Sequence, residues 1–143
     1  MSEKINIVPV ICRTQDKYIS NLEIIKEVEL NGGKAKFCIA LFSSIYSNRN
    51  ITVELLLRDI DSNKGLNIGK YEIVNFEDAE KVFTLFNDTT FLEIETSFPN
   101  KGKYTLEVYL SEGNQNVEYL KKGNEDKKDL APEQISATIF EVK

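Results

Sequence analysis

The stretch DIDSNKG sets Asp59, Asp61 and Asn63 at alternate positions, the spacing at which a calcium loop supplies its first three oxygen ligands. The match ends there. Lys64 stands where that loop needs glycine for its sharp turn, Gly65 comes one place late, and Lys70 replaces the bidentate glutamate. An Asp/Asn/Gly turn between two strands accounts for the same residues, and no metal is expected.

Other chemistries meet harder limits. The chain contains no histidine, which removes Ser-His-Asp and Cys-His catalysis and every zinc site that uses imidazole. Two cysteines cannot build an all-thiolate zinc site, and no glycine-rich phosphate loop occurs. Ser43, Ser44 and Ser47 lack the glycine-flanked elbow of a nucleophilic serine and read as polar positions at a strand end. Glu27 with Glu29, and Glu93 with Glu95, lie two apart on a strand and so share a face. A glycosidase pair must flank a substrate in a cleft, with one pKa raised by burial, whereas these read as solvated. The sequence therefore predicts neither an enzyme nor a cofactor.

Binding chemistry remains. The loop SIYSNRN carries Tyr46, Asn48 and Arg49, a mixture of aromatic, amide and guanidinium groups suited to a contact surface. A second loop, SEGNQN, adds Asn114 and Asn116, and both loops could also be ordinary solvated connections.

The elements that must position these residues are strands. The 143 residues are about one domain's worth, and a chain this long can bury about two-thirds of the surface it exposes unfolded. Apolar residues make up 41% and charged residues 29%, as in globular proteins, and no apolar run is long enough for a membrane span. The net charge of -5 is uneven: residues 1–50 carry seven basic and five acidic side chains, the remainder eleven and eighteen. No basic cluster interleaves with aromatics, so nucleic acid is not an expected partner. The first residues lack the parts of a secretory signal, which reads as cytoplasmic. Lys outnumbers Arg fifteen to three, the usage of an AT-rich bacterial genome. Cys12 and Cys38 lie inside apolar runs, where free thiols behave as small buried hydrophobes, and a disulfide between neighbouring strands remains an alternative.

Period-two alternation recurs along the chain, punctuated by turn residues. KINIVPVIC is a first strand whose Pro9 cannot donate to a ladder, so it should lie at an edge or carry a bulge. NLEIIKEVEL and AKFCIALF flank NGGK and read as a hairpin from Leu22 to Phe42. ITVELLLRD, LNIGKYEIV and ISATIFEV are further strands, with a shorter one in NVEYL. FEDAEKVFTLF is ambiguous, and we read at most one short helix near 76–80 followed by a strand. The polar tract near 121–134 reads as a mobile loop within one domain spanning 1–143.

TFLEIETSF and KYTLEVYL are two alternating runs joined by a Pro-Asn-Lys-Gly corner. Within it, Asn100-x-Gly102-x-Tyr104-x-Leu106 resembles the Asp-x-Gly-x-Tyr-x-Cys corner of immunoglobulin-like domains, where the tyrosine hydroxyl bonds backbone a few residues upstream. Leu106 occupies the position of the second cysteine and the chain has no tryptophan. The resemblance implies an all-β, antiparallel two-sheet sandwich of about eight or nine strands, similar to disulfide-free bacterial immunoglobulin-like or fibronectin type III-like domains. It carries no activity with it.

The function expected is a non-catalytic protein-interaction or accessory module of a bacterium or its phage, with a protein partner. A structural subunit assembling through strand edges as a homo-oligomer is one alternative. A carbohydrate or small-ligand binding module is another, disfavoured by the lack of tryptophan for stacking.

Overall fold

The structure, a computed structural model, describes residues 3–14, 22–47, 51–73, 84–111 and 133–143. Nine strands run through them: β1 (Lys4–Thr14), β2 (Leu22–Ile24), β3 (Glu27–Val28), β4 (Lys34–Ser47), β5 (Ile51–Asp59), β6 (Gly65–Ile73), β7 (Thr84–Ser97), β8 (Gly102–Ser111) and β9 (Glu133–Val142). They form two sheets, ordered β2-β1-β4-β7 and β3-β9-β8-β5-β6. Every pairing is antiparallel except that of β3 with β9.

The alternation seen in the sequence becomes the core. In β5, Ile51, Val53, Leu55 and Leu57 turn inward, and Tyr104, Leu106, Val108 and Leu110 do so in β8. Across the interface stand Ile7 and Ile11 of β1 and Phe37, Ile39, Leu41 and Ile45 of β4. At one end Phe98 meets Tyr104 edge-on at a centroid distance of 5.0 Å, and Phe140 stacks on Tyr104 at 6.1 Å. Burying such aromatic and branched side chains contributes about 1.5–3 kcal/mol each, the main force holding the sheets together.

Pro9 sits where its chemistry requires. β2 pairs with β1 only from Cys12 to Thr14, so among the described residues the stretch around Pro9 has β4 as its single ladder partner. Nearby, the Ser136 hydroxyl of β9 donates to the Ile7 carbonyl on the open side of β1.

The hairpin expected from Leu22 to Phe42 does not form. Its turn exists: Asn31 and Lys34 exchange backbone hydrogen bonds of 2.7 and 3.3 Å, and Gly32 and Gly33 take φ of 64° and 80°, which suits glycine. The preceding run, however, splits between sheets. β2 joins β1, whereas β3 joins β9, and the change of sheet is fixed by Ile25 N–H to the Ile11 carbonyl and Glu141 N–H to the Lys26 carbonyl, both 2.9 Å. A local turn signal says nothing about which sheet its flanking strand enters.

Other boundaries moved slightly. Glu133 and Gln134, assigned from sequence to a polar loop, belong to β9, and β4 continues through Tyr46 to Ser47. Ser43 and Ser47 are buried, and the Ser47 hydroxyl donates to Glu3 Oε2 at 2.7 Å. The expected short helix near 76–80, the strand in NVEYL and most of the tract at 121–134 lie outside the described residues.

Candidate functional site

Of the residues singled out for binding, Tyr46 lies in β4, half-buried, with Lys4 and Leu85 as its neighbours in register. Asn48, Arg49, Asn114 and Asn116 lie outside the described residues. Their attachment points are close together. Ser47 ends β4, Ile51 begins β5, and Ser111 ends β8 with Thr52 as its direct partner. Segments 48–50 and 112–132 are thus both anchored at one end of the sandwich.

The opposite end holds the tyrosine corner. Tyr104 is 4% exposed, and its hydroxyl donates to the Asn100 carbonyl at 2.7 Å. Gly102 takes φ of 134°, a conformation that side chains disfavour, which explains glycine in the motif. Here too lies the DIDSNKG turn. Asp59 Oδ1 accepts the Asp61 N–H at 3.0 Å, Oδ2 lies 3.4 Å from the Asn100 side-chain nitrogen, and the Asn63 N–H donates to the Asp59 carbonyl at 2.8 Å. Burial pushes the Asp59 carboxyl up, but the bonds from Asp61, Asn100 and Ser62 outweigh it and hold the pKa below its ordinary value. Asp59 and Asn100 line a hollow of about 210 Å³ between the turn and the corner. The carboxylate is built into the turn.

The outer face of the five-stranded sheet carries a polar cluster that the sequence reading missed. Arg58 of β5 stands opposite Thr105 of β8 and reaches diagonally to Glu107, with Nε 2.9 Å from Oε2. Thr105 Oγ1 donates to the same oxygen at 2.5 Å, and the Tyr109 hydroxyl donates to Oε1. Glu107 is only 5% exposed, so its charge is met by one guanidinium and two hydroxyls rather than by water. Arg58 is held in turn, its Nη1 donating to the Asn63 carbonyl at 3.0 Å. Burial, joined by the bond to Glu107, pushes the Tyr109 phenol up to about 12. Tyr109 packs on the fully buried Leu56, and Glu54 beside it is 2% exposed. Solvated glutamates were expected on the outer faces. Glu27, Glu29, Glu93 and Glu95 are indeed exposed, whereas Glu54 and Glu107 are not. The available signal was the run Leu55-Leu56-Leu57, which places an apolar side chain on both faces of β5.

On the outer face of the other sheet, Cys12 of β1 and Cys38 of β4 are direct cross-strand partners, both free and both buried. Ala40 completes a small apolar cluster with them, flanked by Val10, Phe42 and Phe91. Burial and the neighbouring Cys38 push the Cys12 thiol up to about 12. A hollow of about 280 Å³ lies over the pair, with Arg13, Lys36 and Glu93 in its wall.

Strand order and corner together define the class. In the five-stranded sheet, β9-β8-β5-β6 is the order of the immunoglobulin strands G-F-C-C′, and β4-β7 in the other sheet matches B-E. The chain is an all-β, immunoglobulin-like sandwich with β1 beside β4 and Leu106 in place of the intersheet cysteine. No protein-family model matches the chain, and neither does any curated protein. Among solved structures it is similar to an immunoglobulin-like protein from Pseudomonas aeruginosa, at 15% identity and a TM-score of 0.42, covering 100% of this chain and 98% of that one.

Proposed function

We infer that the protein is a non-catalytic protein-interaction or accessory module, of a bacterium or its phage, that contacts its partner at the end of the sandwich where segments 48–50 and 112–132 are anchored. One observation carries this reading: Thr52 and Ser111 are partners in the ladder, so the chain segments bearing Asn48, Arg49, Asn114 and Asn116 leave from neighbouring points, with Tyr46 one residue inside β4. Tyrosine and arginine are among the residue types that most often dominate binding energy, and asparagine adds adaptable hydrogen bonds beside them. The test is capture from a lysate of the source organism by the wild-type chain and by the double variant Tyr46→Ala, Arg49→Ala. A partner retained by the wild type and lost by the variant, at an unchanged melting temperature, supports the assignment. Equal capture by both overturns it.

A second reading, a structural subunit, is favoured by β7. This strand runs 14 residues, Thr84–Ser97, and among the described residues it pairs only with β4. Such an edge is a template for a further strand. Light scattering over a wide concentration range separates the two, since a monomer at every concentration rules out the subunit.

A further inference from the structure

We propose that Cys12 and Cys38 are a redox-convertible pair that closes to a disulfide tying β1 to β4 across the outer face of the four-stranded sheet. The two residues are not merely near in space; they are partners in the ladder, Cys12 opposite Cys38. Directly opposed residues of an antiparallel pair have Cα atoms about 4.5 or 5.5 Å apart, depending on their place in the hydrogen-bond pattern, and both spacings lie in the range that disulfides span. Partners share a face, so the two side chains leave the sheet on the same side. No strand has to slide or flip for the bond to form. Cβ atoms of opposed residues stand about 4.5–5.5 Å apart, wider than a relaxed disulfide prefers, so closure draws the strands together and leaves a bond that reduction reopens readily.

Access sets the order of events. Cys12 is fully buried, whereas Cys38 is 7% exposed at the hollow whose wall includes Arg13 and Lys36. With a small-molecule disulfide as oxidant, the Cys38 thiolate attacks one sulfur, forms a mixed disulfide and expels the first thiolate. Cys12 then gives up its proton to that departing thiolate and attacks the Cys38 sulfur, expelling the second. Two protein thiols lose two electrons and two protons, and the oxidant leaves as two thiols. The apolar flank of Val10, Phe42 and Phe91 keeps water from the closed bond.

The experiment equilibrates the full chain with graded ratios of reduced and oxidised glutathione, quenches with acid, unfolds, alkylates the free thiols and reads the intact mass. The expected result is a direct passage from two alkylated cysteines to none, with the loss of two hydrogens from the chain and full reversal by reductant. Persistence of two free thiols at every ratio overturns the proposal, and so does a stable glutathione adduct on one cysteine with the other free, or a disulfide between two chains. In Cys12→Ala the adduct on Cys38 is expected to accumulate, because no second thiol resolves it; no adduct there overturns the order of attack. The wild-type measurement decides the pairing whether or not that variant folds.

Discussion

Arg58 Nε lies 2.9 Å from Glu107 Oε2 on the outer face of the five-stranded sheet, although the two residues are 49 apart in sequence. The pair is largely withdrawn from water, with side-chain exposures of 16% and 7%. Removing one partner of a buried pair leaves the other charge uncompensated, at a cost of about 3–5 kcal/mol, and the remaining exposure of Arg58 sets the expectation at the lower end, about 3 kcal/mol. Arg58→Met should lose that much in urea unfolding. Glu107→Gln keeps one acceptor oxygen and turns the other into an amide donor that a rotated hydroxyl can accept, so it should lose less. Equal losses would mean that the carboxylate charge carries the interaction and that the retained hydrogen bonds contribute little.

How much of this was legible in the sequence depended on how far apart the interacting residues lie. The strands β5, β8 and β9 could be read from alternation alone, and the corner from Asn100, Gly102 and Tyr104, because those signals are local. The split of residues 22–30 between two sheets could not be read, since Gly32 and Gly33 specify a turn but not the destination of the strand before it. Glu107 looked like any surface glutamate until the register placed Arg58 opposite Thr105. Cys12 and Cys38 were legible as buried thiols, but their direct opposition is a property of the β1–β4 register. The binding residues were chosen by type alone, and of these the described residues include only Tyr46, which lies in a strand rather than in a loop.

The corner gives a second test. The Tyr104 hydroxyl donates to the Asn100 carbonyl at 2.7 Å while its ring packs on Phe98 and Phe140. Tyr104→Phe keeps the ring and removes only that donor, so stability should fall by about 1 kcal/mol, the net value of one hydrogen bond. Tyr104→Ala should cost about 3–5 kcal/mol, because it also empties part of the core. A chemical denaturation series on both variants separates the bond from the packing.

The DIDSNKG turn should respond to acid. The folded Asp59 carboxyl lies below its ordinary value of 3.8, so its contribution is complete above that pH and is lost as pH falls through the lower folded value. Asp59→Asn cannot titrate, and its deficit relative to the wild type should therefore be greatest near neutrality and shrink in acid. Urea midpoints measured against pH for both proteins check this. Millimolar calcium should leave the melting temperature where a chelator leaves it, because a ligand that binds only the folded state must raise it. A deficit that is constant with pH would show that the carboxylate charge has no part in the turn.

Alkali tests the buried cluster from the other side. Burial and the hydrogen bond to Glu107 push the Tyr109 phenol from its ordinary value of 10.0 up to about 12, because ionising it would set a phenolate beside a carboxylate in a site with little water. A group whose folded pKa is raised contributes stability in full below its unfolded value and loses it as pH climbs through the folded one. The wild type should therefore hold this contribution up to about pH 10 and shed it between there and about pH 12. Tyr109→Phe lacks the titrating group, so its stability should decline less steeply over the same interval. A spectrophotometric titration provides the direct reading: subtracting the variant's tyrosinate curve from that of the wild type should leave one phenol that ionises near 12 while the fold persists. A difference curve centred near 10 would place the Tyr109 hydroxyl in water rather than against Glu107.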